Sequence, residues 1–260
     1  MVFRVLSLGA GVQSSALLLM SEAGELPRLD AAVFADTQWE PAEVYEHLDR
    51  LTAAVTIPVH RVTNGSLRAD FMAGAVGVEA DRFTRIPVFI RDAAGRPGMG
   101  RRDCTRDYKI RPIRREVRRL MTEAGASTVE QWVGISLDEI GRMKPSGVQY
   151  VTNVYPLVEH RLTRWDCRLW LDRHGWQAPR SACIACPYHS DAEWRRIKAD
   201  AAAWADAVET DQAIRHAKAM KGTSYLHSSL TPLADVDLST AEDHGQLNLF
   251  EQECEGMCGV

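Results

Sequence analysis

Ser7-Leu8-Gly9-Ala10-Gly11-Val12-Gln13-Ser14-Ser15 is the stretch on which the reading of this 260-residue chain turns. It follows the short, largely apolar and β-prone Phe3-Arg4-Val5-Leu6-Ser7 and runs into the helix-forming Ser15-Ala16-Leu17-Leu18-Leu19-Met20. That order is strand, glycine loop, helix. Small residues let backbone N–H groups approach an anion closely, and the following helix turns its positive end to the same place, so phosphate is the natural ligand. No lysine follows the glycines as in a Walker loop, and Ser14 occupies the third glycine's place of a G-x-G-x-x-G pattern. A glycine turn after a strand also serves plain tight packing, so the stretch needs support from elsewhere in the chain.

Working outward, Ala31-Ala32-Val33-Phe34-Ala35 reads as a buried second strand ending at Asp36, and Pro41 suits the first residue of a helix running towards Leu51. Ile57–Val62 and Gln131–Ile135 read as further strands. Strands alternating with helices imply an α/β doubly wound parallel sheet, whose ligands gather at the carboxyl ends of the strands, where Ser7–Ser15 and Asp36 both lie. From Asn64 to Arg102 periodicity is weak, and Gly95, Pro97, Gly98 and Gly100 mark a flexible loop able to close over a site. A helix is expected from about Ile113 to Ala124, with Pro112 barring an unbroken run from Cys104. Thr163-Arg164-Trp165-Asp166 fits a capping box starting a helix through Leu171. Asp191 is expected to cap a helix containing Trp194 and Ile197, and the alanine-rich stretch to Lys221 is helical. Trp132, Trp165, Trp170 and Trp194 read as core bulk. The expected division is a nucleotide-binding α/β domain over 1–178, a cysteine loop with a helical C-terminal elaboration over 179–235, and a mobile tail over 236–260.

Net charge is −4 and no run of eighteen apolar residues exists, so a cytoplasmic protein with no membrane partner is expected. Locally, Arg101, Arg102, Arg106, Lys109, Arg111, Arg114, Arg115, Arg118 and Arg119 crowd one segment against Asp103, Asp107 and Glu116. Such a concentration holds phosphates or an RNA backbone, or is a solvated helix face. Six cysteines in a chain of this kind point to metal or redox work rather than a disulfide framework. Cys183 and Cys186 form a C-x-x-C, Cys254 and Cys258 a C-x-x-x-C, and Cys104 and Cys167 stand alone. Thiolates are soft donors suited to iron–sulfur clusters, while Cys183, Cys186, Cys254 and Cys258 also make a tetrahedral zinc set. Among the histidines, His189 is the one near the cysteine loop.

The opening loop resembles the PP-loop of the adenine nucleotide alpha hydrolase superfamily, which includes the PAPS reductases, adenylyl-sulfate reductases and ATP pyrophosphatases. Its S-x-S-G-G-x-D-S pattern places Ser7, Gly11 and Ser14 in register, while Gly9, Ala10 and Gln13 depart from it. Phe34-Ala35-Asp36-Thr37-Gln38-Trp39-Glu40 is similar to the reductases' F-x-D-T-G-x-E-F, Asp138-Glu139 with Arg142 to D-E-S-x-x-R, and Tyr155-Pro156-Leu157-Val158 with Thr163 to W-P-L-x-x-W-T-x-x-D. The chain therefore looks PAPS reductase-like over about Val5 to Trp194. The resemblance implies that Ser7, Gly9, Gly11, Gln13, Ser14, Ser15, Asp36 and Thr37 bind ATP or a related adenine nucleotide, and that Arg142 and the Arg101–Lys109 segment neutralise phosphate. Gln13 removes a carboxylate that would help hold magnesium. Asp103-Cys104 and Cys183-Ile184-Ala185-Cys186-Pro187 are similar to the segments holding a [4Fe–4S] cluster in adenylyl-sulfate reductases, which implies Cys104, Cys183 and Cys186 as metal ligands, with Cys167, Cys254, Cys258 or substrate completing the set. The last residues resemble the reductases' E-C-G-x-H tail, implying catalytic roles for Cys254 and Cys258 beside Asp36 and Arg142. The activity implied is an ATP-dependent sulfurtransferase, or alternatively a sulfonucleotide reductase or a nucleotide-binding subunit without turnover. The partners implied are a sulfur donor or thiol reductant, an RNA or small-molecule acceptor, and a second copy of the chain as homodimer.

Overall fold

The computed structural model describes residues 2–76, 86–217, 222–240 and 243. Two compact units form, each from two stretches of chain: Met1–Asn64 with Tyr108–Ser181, and Gly65–Asp107 with Ala182–Val260. The segment Gly65–Asp107 thus groups with the C-terminal part of the chain and not with the strands on either side of it.

In the first unit β1 (Val2–Leu8), β2 (Ala31–Asp36), β3 (Val59–Thr63), β6 (Thr128–Val133) and β7 (Val151–Val154) make a parallel sheet in the order β3-β2-β1-β6-β7. This is the expected doubly wound α/β arrangement. The chain travels outward from β1 through β2 to β3 and then crosses to β6 on the other side of β1, so the crevice between β1 and β6 is the topological switch point. Ala31 to Ala35 are all buried, as a strand covered on both faces requires. On one face lie α1 (Val12–Glu22), α2 (Ala42–Ala54), α5 (Pro156–Glu159) and α6 (Arg164–Arg173), whose Leu17, Leu18, Val44, Leu48, Leu157 and Leu171 meet Leu6, Ala32 and Phe34. On the other lies α4 (Arg111–Glu123), whose Val117 and Leu120 meet Phe3, Val5, Val33 and Val129. Its arginines 111, 114, 115, 118 and 119 are exposed, Arg119 paired with Glu116 and Glu123.

The expected break at Pro112 takes another form. The helical trace continues upstream as a π helix over Thr105–Ile110. The proline ring removes an α-type donor, and the wider i→i+5 winding accommodates its loss. At Thr163 the capping box is complete: Asp166 N donates to Thr163 Oγ1 at 3.2 Å and Thr163 N to Asp166 Oδ2 at 2.8 Å. Trp132 is buried, but Trp165 in the first turn of α6 is 62% exposed, because its neighbours on the inner side, Cys167 and Leu171, already fill that face.

The second unit contains α3 (Leu67–Val76), α7 (Asp191–Ala199), α8 (Ala201–Ile214) and a three-stranded antiparallel sheet of β4 (Phe89–Arg91), β5 (Pro97–Met99) and β8 (Thr223–Tyr225) in the order β5-β4-β8. The expected loop around Gly95 is therefore a hairpin: Asp92 Oδ1 accepts from Ala94 N and Arg96 N, and Gly95 takes φ +80°. Turn chemistry accounts for the glycine there. The cap of α7 is Ser190, one residue before Asp191, its hydroxyl accepting from Glu193 N at 3.3 Å. Val236 and Leu238 are buried, so the described start of the tail is packed. Most of 236–260, with Cys254 and Cys258, lies outside the described residues.

Candidate functional site

Gly11 is the N-cap of α1 and carries no side chain to cap it, and no acidic residue sits in the first turn. The first intrahelical bond runs from Ser15 N to Gly11 O at 2.9 Å, so the N–H groups of Val12, Gln13 and Ser14 precede the helical ladder. Ala10 takes φ +56°, bending the chain so that consecutive N–H groups converge. Ser14 Oγ braces the loop, accepting from Gly9 N at 3.1 Å and donating to Gly11 O at 3.3 Å. Across the crevice β6 is followed by Gly134, where a Cβ would stand 3.1 Å from Ser14 N and 3.4 Å from Gln13 Cβ. A side chain at 134 would cover an N–H that the glycine leaves open. At Gly11 the segment ending in Ser181 comes to van der Waals contact, with a Cβ on Gly11 falling 3.6 Å from Ser181 N.

Gln13 is buried and fully engaged. Its amide donates to Glu139 Oε2 at 3.1 Å and to Ser136 Oγ at 3.4 Å, and its carbonyl accepts from Arg164 at 3.0 Å. Arg142 pairs with the same Glu139, and Arg164 N donates to Asp138 Oδ1 at 2.9 Å. The loop, the turn after β6 and the first turn of α6 are thus tied through one amide, with two guanidinium groups at its edge. A carboxylate at 13 would face the carboxylate of Glu139; an amide donates to it instead. Ser7 Oγ accepts from Gln131 at 2.8 Å. Ser15 is fully buried, with its hydroxyl 2.8 Å from His47 Nε2, so it faces the interior between α1 and α2 and not the mouth of the loop. Burial first, and the Arg50 charge second, depress His47 to about 4, leaving it neutral.

At the end of β2, Asp36 Oδ1 accepts from Gln38 N at 2.7 Å and from the Tyr45 hydroxyl at 2.8 Å. Burial, then the neighbouring Asp36 carboxylate, raises the Tyr45 phenol, which stays a donor. Thr37 and Glu40 are buried together, Thr37 Oγ1 donating to Glu40 Oε1 at 3.4 Å, and Lys109 Nζ lies 3.3 Å from the same oxygen. Of the other expected phosphate partners, Arg106 is paired with Asp103 and Asp107, and Arg102 lies over the Tyr188 ring at 5.3 Å.

Cys104, Cys183 and Cys186 all fall in the second unit. A cluster or a structural zinc requires about four converging donors, and among the described residues no three of His, Cys, Asp and Glu are grouped to hold a metal ion. Cys167, a candidate for completing the set, belongs to the first unit's core; burial, then Asp166 and Asp138, push its thiol up to about 12, which keeps it protonated and inert. Cys183 and Cys186 share a turn, Cys186 N donating to Cys183 O at 3.0 Å. His189 is buried against Trp194 and spans the carbonyls of Cys183 (2.9 Å) and Ile184 (3.2 Å) with Nε2.

Sequence reading missed Ser136, Gly134 and Arg164 as parts of the loop's surroundings. Arg164 carried a signal, since a capping box fixes the residue after Thr163 at the start of α6, close to where the strands end.

No family model matches this chain, and no curated protein matches it. Among solved structures, the phosphoadenylyl-sulfate (PAPS) reductase from Candida auris in its phosphate complex is similar at 13% identity and a TM-score of 0.42, over 70% of this chain and 76% of that one. The U34-tRNA thiolase NcsA from Methanococcus maripaludis with its [4Fe-4S] cluster is similar at 12% identity and a TM-score of 0.41, over 84% and 73% of the two chains. Likeness this distant does not choose a reaction. No helix among the described residues is long and apolar enough to cross a membrane.

Proposed function

We propose that this chain is an enzyme that binds ATP in the Gly9–Ser14 loop, adenylates an acceptor and inserts sulfur into it. The observation that carries the reading is the uncapped start of α1, with Ser14 N left uncovered by Gly134 and the adjoining Gln13 tied to Arg164 directly and to Arg142 through Glu139. The motif order from Ser7 through Asp36 and Asp138 to Thr163 supports adenine nucleotide chemistry beside sulfur. In the first step an acceptor oxygen attacks the α-phosphorus and pyrophosphate leaves, its charge received by the loop N–H groups and the two guanidiniums. In the second the terminal sulfur of a persulfide donor attacks the activated carbon and AMP leaves with the oxygen; a second thiol then attacks the donor's inner sulfur, a disulfide forms, and the transferred sulfur stays on the acceptor. Asp36, held by Tyr45 and Gln38 N, offers its remaining oxygen to the ribose or adenine side.

A second reading is favoured by one observation, the amide at Gln13 where a carboxylate would help hold magnesium. It takes PAPS or adenylyl sulfate as substrate. A thiolate attacks the sulfur, the nucleotide leaves, and a second thiol releases sulfite as a disulfide forms, Cys254 and Cys258 being the thiols available outside the described residues. Anaerobic incubation with ATP, adenylyl sulfate or PAPS and a dithiol separates the two. Pyrophosphate from ATP supports the first reading and sulfite the second. Neither product, together with no shift in melting temperature by any of the three nucleotides, would sink both.

A further inference from the structure

We propose that Cys183 and Cys186 are a redox-active dithiol, with His189 as the residue that positions them. An i→i+3 hydrogen bond, here Cys186 N to Cys183 O at 3.0 Å, closes a turn whose first and last Cα atoms lie within about 7 Å. A disulfide needs about 4.4–6.8 Å between Cα atoms, so this backbone reaches bonding distance with little movement. Carbonyl oxygens only accept, so His189 Nε2, set between those of Cys183 and Ile184, carries the proton and donates to both. His189 N donates in turn to Cys186 O at 3.2 Å, and the Trp194 ring stands edge-on to the imidazole at 4.8 Å between centroids. The clamp is therefore rigid and rests on the start of α7, capped by Ser190. Pro187 fixes the chain immediately after the second cysteine.

The two sulfurs differ in access as an exchange pair should. Cys183 is buried and Cys186 is partly exposed, so an incoming disulfide reaches Cys186 first. The Cys186 thiolate attacks one sulfur of the partner, and one partner thiol leaves. The Cys183 thiolate then attacks Cys186 in the mixed disulfide, and the second partner thiol leaves. The pair loses two electrons and two protons, and the partner, a low-molecular-weight or protein disulfide, gains them. This inference stands independently of the nucleotide reading, since it concerns residues of the second unit alone.

The test equilibrates the full chain with mixtures of reduced and oxidised glutathione, quenches in acid, alkylates, and weighs the tryptic peptide Ser181–Arg195. The expected result is a switch from two adducts to none in one transition. Cys104→Ser leaves that transition in place, either single serine variant at 183 or 186 converts it to a glutathione adduct on the remaining thiol, and His189→Asn moves the equilibrium constant about tenfold, roughly the worth of one hydrogen bond. Two adducts at every ratio would overturn the proposal. So would stoichiometric iron or zinc in anaerobically purified chain that is lost in Cys104→Ser, because the thiols would then be metal ligands. Nucleotide-induced melting shifts on the same samples report on the first unit, so the failure of one reading is told from the failure of the other.

Discussion

The Gly9–Ser14 loop and the Cys183–Cys186 turn divide labour in opposite ways. In the loop the side chains are scaffold: Ser14 Oγ braces Gly9 and Gly11, and both ends of the Gln13 amide are engaged. What remains for a ligand is backbone N–H. In the turn the backbone is scaffold, its carbonyls and amides held by His189 and by each other, and the chemistry proposed for it lies in side-chain sulfur. A phosphate is bound best by many weak donors of fixed geometry, whereas sulfur exchange needs one strong nucleophile in reach of another. Each region spends its polar groups on holding still the part that works.

The largest test of this contrast is Gln13→Glu, which exchanges a scaffold amide for a carboxylate beside Glu139. Stability at pH 7 is expected to fall by about 3 kcal/mol as a buried hydrogen bond becomes a like-charge contact, and nucleotide affinity with it. Adding Glu139→Gln should restore most of both. Urea melts and nucleotide titrations read the result, and an unchanged single variant would show that Gln13 scaffolds nothing. Next in size is the acid response of His47, the group under Ser15. Its folded value, about 4, lies below the ordinary 6.5, so the unfolded chain binds the proton first and stability falls as pH drops through that window. The loss from this group between pH 7 and pH 5 is on the order of 2 kcal/mol. His47→Gln should flatten that slope in urea melts at the two pH values; an equally steep slope in the variant would remove His47 from the account.

Gly134→Ala works on the other side of the loop, setting a methyl 3.1 Å from Ser14 N. Nucleotide binding is expected to weaken about tenfold through one lost or displaced donor, while the melting temperature without ligand changes little. Equal loss of both would mean packing and not access. Smallest is Ser190→Ala, which removes the cap of α7 and with it the support of His189. A cost of about 1 kcal/mol in stability is expected, with faster alkylation of Cys183 and Cys186 and no change in nucleotide-induced melting shift.

Much of the sheet was legible because its signals are local. Strand, glycine loop and helix follow one another within residues 2–22, and the buried run Ala31–Ala35 could hardly be anything but a covered strand. The strand Val151–Val154 was missed, since four residues carrying Thr152 and Asn153 show no period and gain strand form from pairing with β6. The hairpin at 89–99 was hidden because its strands are three residues each and its glycines and proline read as a loop. Of the candidate site, the Gly9–Ser14 loop was visible because glycine spacing is chemistry written in order. The Gln13–Glu139–Arg164 tie was not, because Gln13 lies more than a hundred residues before both Glu139 and Arg164 and meets them only across the crevice between β1 and β6. The clamp role of His189 was equally silent, since nothing in the spacing of a single histidine says that its ring will bridge two carbonyls.

The π helix at Thr105–Ile110 has a consequence of a different kind. Each π turn takes up one residue more than an α turn, so the segment behaves as an insertion that sets the phase of what precedes α4 against α4 itself. Lys109 meets Glu40 in that phase. Deleting Ile110 would let the chain wind as α helix and swing Lys109 about 100° around the axis, away from the buried carboxylate at the end of β2. Length in that short segment, more than the identity of its side chains, decides which group neutralises Glu40.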